Sequence, residues 1–83
     1  MLTIHFASHL SRILGAETVD VEPERNVRHL LRALSRRFGA PFDERIKYCK
    51  VIVNGDNVAF LKGKSTALKD GDKITILPPM ACG

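Results

Sequence analysis

Val27-Arg28-His29-Leu30-Leu31-Arg32-Ala33-Leu34-Ser35-Arg36-Arg37-Phe38 is the stretch on which the fold turns. Its apolar residues Val27, Leu30, Leu31, Leu34 and Phe38 recur at i, i+3, i+4, i+7 and i+11, so they share one stripe of an α-helix. All five are expected in the core. Asn26 can accept from the free N-H groups of the first turn, and Arg36 and Arg37 suit the negative end of the helix dipole. Gly39 followed by Pro41 stops the helix there.

Upstream, the period changes from 3.6 to 2. Leu2, Ile4 and Phe6 alternate with Thr3, His5 and Ala7, and Val19 and Val21 alternate with Thr18 and Asp20, the pattern of half-buried strands. Residues 8 to 16, with Gly15 among them, read as a long, partly apolar loop joining two antiparallel neighbours. Downstream, Cys49, Val51 and Val53 alternate with Lys50, Ile52 and Asn54. That strand ends in the turn Asn54-Gly55-Asp56-Asn57, and a short strand near residues 58 to 61 returns from it. Leu68 is an isolated apolar anchor, Lys69-Asp70-Gly71-Asp72 is a turn, and residues 73 to 77 form a last strand with Ile74 and Ile76 on one face.

The element order is therefore ββαβ(β)β with one helix to cover one sheet face. It predicts an α+β fold of the β-grasp kind, a mixed sheet of four to five strands packed on one main helix. A ferredoxin-like fold needs a second helix, and residues 61 to 72 are too interrupted by Gly and Asp to supply it. At 83 residues the core is too small to divide, which predicts one domain over residues 1–77 and a projecting tail over 78–83. Pro78 and Pro79 end ladder pairing, and the small residues after them have little to bury.

Composition narrows the function. With 45% hydrophobic and 27% charged residues the chain can build a core, so disorder is not expected. No run approaches the roughly 18 apolar residues of a membrane span, and the N-terminus lacks a basic stretch before an apolar run. A cytoplasmic location is the default expectation. Cys49 and Cys82 are too few for a disulfide scaffold or a paired metal motif, and His5, His9 and His29 have no partners at metal-ligand spacing. The net charge of +4 is local: residues 25–50 hold eight basic side chains against Asp43 and Glu44. Arg28, Arg32 and Arg36 stand at i, i+4 and i+8, with Arg25 nearby, where like charges cost a few tenths of a kcal/mol, about 0.2–0.5 per pair. That face reads as a solvated helix side or as a dock for an acidic partner. Nucleic acid fits less well, because no aromatic residues are interleaved for base stacking.

Leu68-Lys69-Asp70-Gly71-Asp72-Lys73-Ile74-Thr75-Ile76-Leu77-Pro78-Pro79-Met80-Ala81-Cys82-Gly83 resembles the end of the MoaD/ThiS sulfur carriers, which read L-x-D-G-D, a strand, P-P and a Gly-Gly terminus. Phe6-Ala7, Gly15, the Leu-rich helix and Val53-Asn54-Gly55 fall in that family's order, so the resemblance spans nearly the whole chain. It implies a ubiquitin-like small subunit, as of molybdopterin synthase, that is not catalytic alone. Gly83 would be the reactive residue: an activating enzyme of the MoeB/ThiF kind uses ATP to adenylate its carboxylate, which then becomes a thiocarboxylate. A large subunit of the MoaE kind, or another acceptor enzyme, would consume the sulfur in molybdenum cofactor synthesis. The resemblance gives Phe60, Leu77, Pro78, Pro79, Met80, Ala81 and Cys82 as partner-binding residues, with core packing the alternative for Phe60 and Leu77, and no bound cofactor, metal or membrane is expected.

The chain departs from the family pattern at Cys82, where the penultimate glycine is expected. Attack of its thiol on an activated Gly83 would close a seven-membered ring around a cis peptide bond, at a cost of about 2.5–4 kcal/mol. Three classes of function stand at this level: a sulfur carrier, a ubiquitin-like modifier or binding module without sulfur, and a basic module for acidic partners or nucleic acid.

Overall fold

The computed structural model describes residues 1–79. Eight elements follow in order: β1 (Leu2–Phe6), α1 (Leu10–Leu14), β2 (Thr18–Val21), α2 (Val27–Phe38), α3 (Ala40–Ile46), β3 (Lys50–Val53), β4 (Asp56–Asn57) and β5 (Lys73–Leu77). Two 3-10 turns, Val58–Phe60 and Gly63–Ser65, lie between β4 and β5. The strands form one mixed sheet in the order β2-β1-β5-β3-β4. Its central pair β1 and β5 is parallel, with Ile4 opposite Ile74 and Phe6 opposite Ile76, and every other pair is antiparallel.

Alternation along the strands sorts the two faces. Leu2, Ile4, Phe6, Val19, Val51, Val53, Ile74 and Ile76 are buried in one core with Val27, Leu30 and Leu34 of α2. Thr3, His5, Ile52, Thr75 and Leu77 occupy the other face and are half-buried by their strand neighbours. α2 starts where the sequence indicated, its first turn capped by the Asn26 side chain, which accepts from the His29 amide at 3.0 Å and meets His29 Nδ1 at 2.7 Å. That contact makes His29 part of the cap. Leu31 and Phe38 are half-buried, against the expectation of full burial. They flank the stripe, and Phe38 still packs edge-on to Phe6 at 5.4 Å between ring centroids.

Four local readings need correction. The 8 to 16 connection is no simple loop. It contains α1, whose Leu10 and Leu14 stand one turn apart, with Leu10 buried and Gly15 closing the helix in the left-handed region at φ 74°. Gly39 ends α2 but also begins α3, a second short helix in which Pro41 sits in the first turn, where no N-H is required. Phe42 projects from α3 into the core and is 1% exposed. The turn after β3 uses only Asn54 and Gly55, both at positive φ (50° and 92°), the signature of a tight hairpin turn. The returning strand is consequently Asp56–Asn57, and the residues expected to form it, Val58–Phe60, make a 3-10 turn. Finally, β3 begins at Lys50, leaving Cys49 half-buried just before it.

The long connection to β5 is tied down by backbone bonds. Val27 N donates to Thr66 O and Leu68 N to Arg25 O, both at 3.1 Å, which seats Leu68 in the core beside the start of α2. The Asp70-Gly71-Asp72 motif proves structural. Buried Asp72 accepts from Lys69 N at 2.8 Å and from Asn54 Nδ2 at 2.9 Å, while Asn54 Oδ1 accepts from Lys73 N at 2.9 Å. Two turns at one end of the sheet are thereby locked together. Asp70 pairs with the Met1 ammonium, and that hydrogen bond lowers the carboxyl's pKa and raises the ammonium's. Both groups are exposed, so the pair adds little stability.

Candidate functional site

β5 lies at the centre of the sheet and runs parallel to β1, so the chain leaves the sheet beside the end of β1. Ala7 N donates to Ile76 O at 3.0 Å, and Leu77 stands opposite Lys50 as the last paired residue. Pro78 cannot donate to a ladder, so pairing ends there. Pro78, read above as the first residue of the tail, is buried, and Pro79 is exposed. A crevice of about 80 Å³ beside the two prolines is lined by His9, Leu10, Arg45, Tyr48 and Cys49. The start of α1 and the end of α3 thus form the seat of Pro78 and Pro79. The expectations placed on Met80, Ala81, Cys82 and Gly83 lie outside the described residues.

The surroundings of that exit are basic and partly aromatic. Tyr48 is 66% exposed, with the Lys47 ammonium 6.0 Å from its ring centroid. Cys49 Sγ donates to Arg45 O at 3.2 Å. Burial pushes the thiol pKa up, against the opposing pull of the Arg45 guanidinium, so Cys49 is a protonated packing residue with little nucleophilic character. Phe60 is 86% exposed at the tip of the 3-10 turn after β4, and Leu77 is half-buried on the uncovered sheet face. Leu77 belongs to β5 and Phe60 follows β4, the two strands that lie on either side of β3 in the sheet.

The described residues contain no group of His, Cys, Asp and Glu able to hold a metal ion, and no buried side-chain polar atom among them lacks a partner. Reasoning from sequence missed Arg45 and Tyr48 as neighbours of the exit. Phe42 and Ile46 repeat at i, i+4, which is compatible with a helical turn before Tyr48 but does not place that turn beside the exit. No described helix is long and apolar enough to cross a membrane.

Comparison with known proteins extends this picture. Small archaeal modifier protein 3 of Haloferax volcanii is 28% identical over 90 aligned residues, covering 99% of this chain and 98% of that protein. The solution structure of small archaeal modifier protein 1 from Methanosarcina acetivorans superposes with a TM-score of 0.86 at 23% identity, covering 99% of this chain and 95% of that one. A chain of the Amycolatopsis orientalis BexX/CysO complex gives 0.84 at 24% identity, with 100% of both chains covered. A chain of the complex of subunits 1 and 2 of molybdopterin-converting factor from Helicobacter pylori gives 0.71 at 23%, covering 99% and 97%. At these identities the three structures establish the fold alone, a ubiquitin-like β-grasp, and two of them are complexes with partner proteins. The ThiS family model matches residues 4–83. Since that match takes in almost the whole length, the chain belongs to the ThiS family.

Proposed function

We propose that this protein is a sulfur carrier whose reactive group is the carboxylate of Gly83. The observation that carries the reading is the ThiS family match, which runs through Gly83 itself. In this reading the carboxylate attacks the α-phosphorus of ATP bound by an activating enzyme, giving an acyl adenylate and pyrophosphate. Sulfide-level sulfur from a donor then attacks the acyl carbon as hydrosulfide and displaces AMP, leaving a thiocarboxylate. The ATP belongs to the activating enzyme, and the carrier itself binds no cofactor.

Residues 1–77 serve as the folded body and residues 78–83 as the tether, with Pro78 anchoring its base. Glycine at the reacting position leaves the carbonyl open to attack and free in φ and ψ. Phe60 and Leu77 give the activating enzyme, and later the acceptor, a surface to grip, while Pro79, Met80, Ala81 and Cys82 thread toward the chemistry. The molybdopterin pathway is the acceptor we favour, on the fold shared with the molybdopterin-converting factor complex. A MoeB/ThiF-like activating enzyme and a MoaE-like large subunit are the corresponding partners, in the cytoplasm.

A second reading has its own support in the 28% identity to small archaeal modifier protein 3, and makes the same adenylate the start of a conjugate to a lysine. Intact-mass spectrometry of protein isolated from its native cell separates the two. Replacement of one oxygen by sulfur supports the carrier, and an isopeptide at Gly83 supports the modifier. Deleting Gly83 should abolish ATP-pyrophosphate exchange with the cognate activating enzyme and leave the melting temperature unchanged. Exchange equal to the parent's would end both readings.

A further inference from the structure

A groove of about 770 Å³ runs between α2, α3 and the β3-β4 edge of the sheet. Its floor is apolar, made by Leu31, Phe42, Ile46, Val51 and Val58. Leu31 is one of the two stripe residues that α2 leaves half-buried, and it lines this groove. The rim carries Arg28 and Arg32 from α2, Lys47 from the end of α3, Lys50 from the start of β3, and Lys64 from the second 3-10 turn. All five are exposed, and none makes an ion pair among the described residues, where the one salt bridge joins Met1 and Asp70. The single acid on the lining, Asp43, accepts from the Ser35 hydroxyl.

Five unneutralised cations around an apolar floor call for an occupant with carboxylates at its margins and apolar side chains between them. We propose that this groove docks an acidic amphipathic segment of a partner protein. Its apolar residues rest on Leu31, Ile46 and Val58, and its carboxylates meet Arg28, Arg32, Lys47, Lys50 and Lys64. Nucleic acid lacks a counterpart for the floor and finds no exposed ring to stack on, since Phe42 is buried and neither Tyr48 nor Phe60 lines the groove. A second copy would offer the acids Glu17, Asp20, Glu22 and Glu24 around β2, but Val19 there is buried and only Val21 is partly free to enter the groove. Leu77, Pro78 and Pro79 do not line it.

The test is an NMR titration of the full-length, nitrogen-15-labelled chain with a synthetic helical peptide of leucines flanked by glutamates. Saturable shifts should map to Leu31, Ile46 and residues 57 to 64 and weaken as salt is raised. Replacing every glutamate of the peptide by glutamine, or making the Arg28→Glu/Arg32→Glu variant, should cost at least about tenfold in affinity. Those arginines are exposed, so circular dichroism should report an unchanged fold. The proposal is overturned by no saturable shift up to about 1 mM peptide, by equal binding of the glutamine peptide, or by shifts confined to the Thr75 and Leu77 face. Tighter binding of a single-stranded oligonucleotide at the same residues, or self-association abolished by Arg28→Glu/Arg32→Glu, would overturn it too.

Discussion

Asp72 shows how a turn motif acts at the residue scale. Its carboxylate joins the hairpin at Asn54 to the turn at Lys69, and removing it takes the partner from two part-buried donors. Asp72→Ala should lower stability by about 1–3 kcal/mol in urea unfolding, and an unchanged midpoint would show that water takes over both bonds. Cys49 offers a pH test. Its folded pKa is raised, first by burial, so the neutral thiol favours the folded state below the unfolded pKa. That contribution fades as pH rises through the folded value. At pH about 8, alkylation of Cys49 should be slower in the folded chain than in urea, and the gap should narrow as pH rises. Equal rates at every pH would place the thiol in solvent.

At the scale of elements, α2 and α3 hold the sheet by different means. α2 is long, capped at Asn26 and amphipathic, and it buries Val27, Leu30 and Leu34. Leu34→Ala should cost about 2–5 kcal/mol by thermal or urea unfolding. α3 has only seven residues, too few to persist alone, so its helix depends on Phe42 being seated in the core. Phe42→Ala should cost about 3–5 kcal/mol and also loosen the wall of the crevice at Pro78 and Pro79. Amide exchange over residues 40–46 would report that loosening, and retained protection there would contradict it.

For the whole molecule, the proposed function puts partner binding on surfaces other than those that hold the fold. The core is closed by helices on one sheet face, while Phe60, Tyr48 and the Leu77 face are left to solvent. Phe60→Ala should change stability by less than about 0.5 kcal/mol yet weaken binding to the activating enzyme by more than about 1 kcal/mol, measured by calorimetry. Unaltered affinity would remove Phe60 from the docking surface. Deleting Gly83 follows the same logic from the opposite end, with activity lost and folding kept.

Periodicity alone determined much of this protein. The stripe from Val27 to Phe38, the alternation in β1, β2, β3 and β5, and the order ββαβ(β)β are local patterns, because repeats of 3.6 and 2 are properties of the backbone itself. The ordered motifs were enough to point to the family that the comparison then established. Tertiary structure decided the rest. α1 and α3 span five and seven residues and carry too little periodicity to stand out, so they exist because Leu10 and Phe42 find places in the core. The shortening of the second hairpin depended on positive φ at both Asn54 and Gly55, which strand pairing imposes. Arg45 and Tyr48 came to flank the tail, and the α2 arginines came to face the lysines of β3 and the 3-10 turn, through contacts between elements far apart in sequence. No local pattern encodes such a meeting, since it is set by how the helices lie across the sheet.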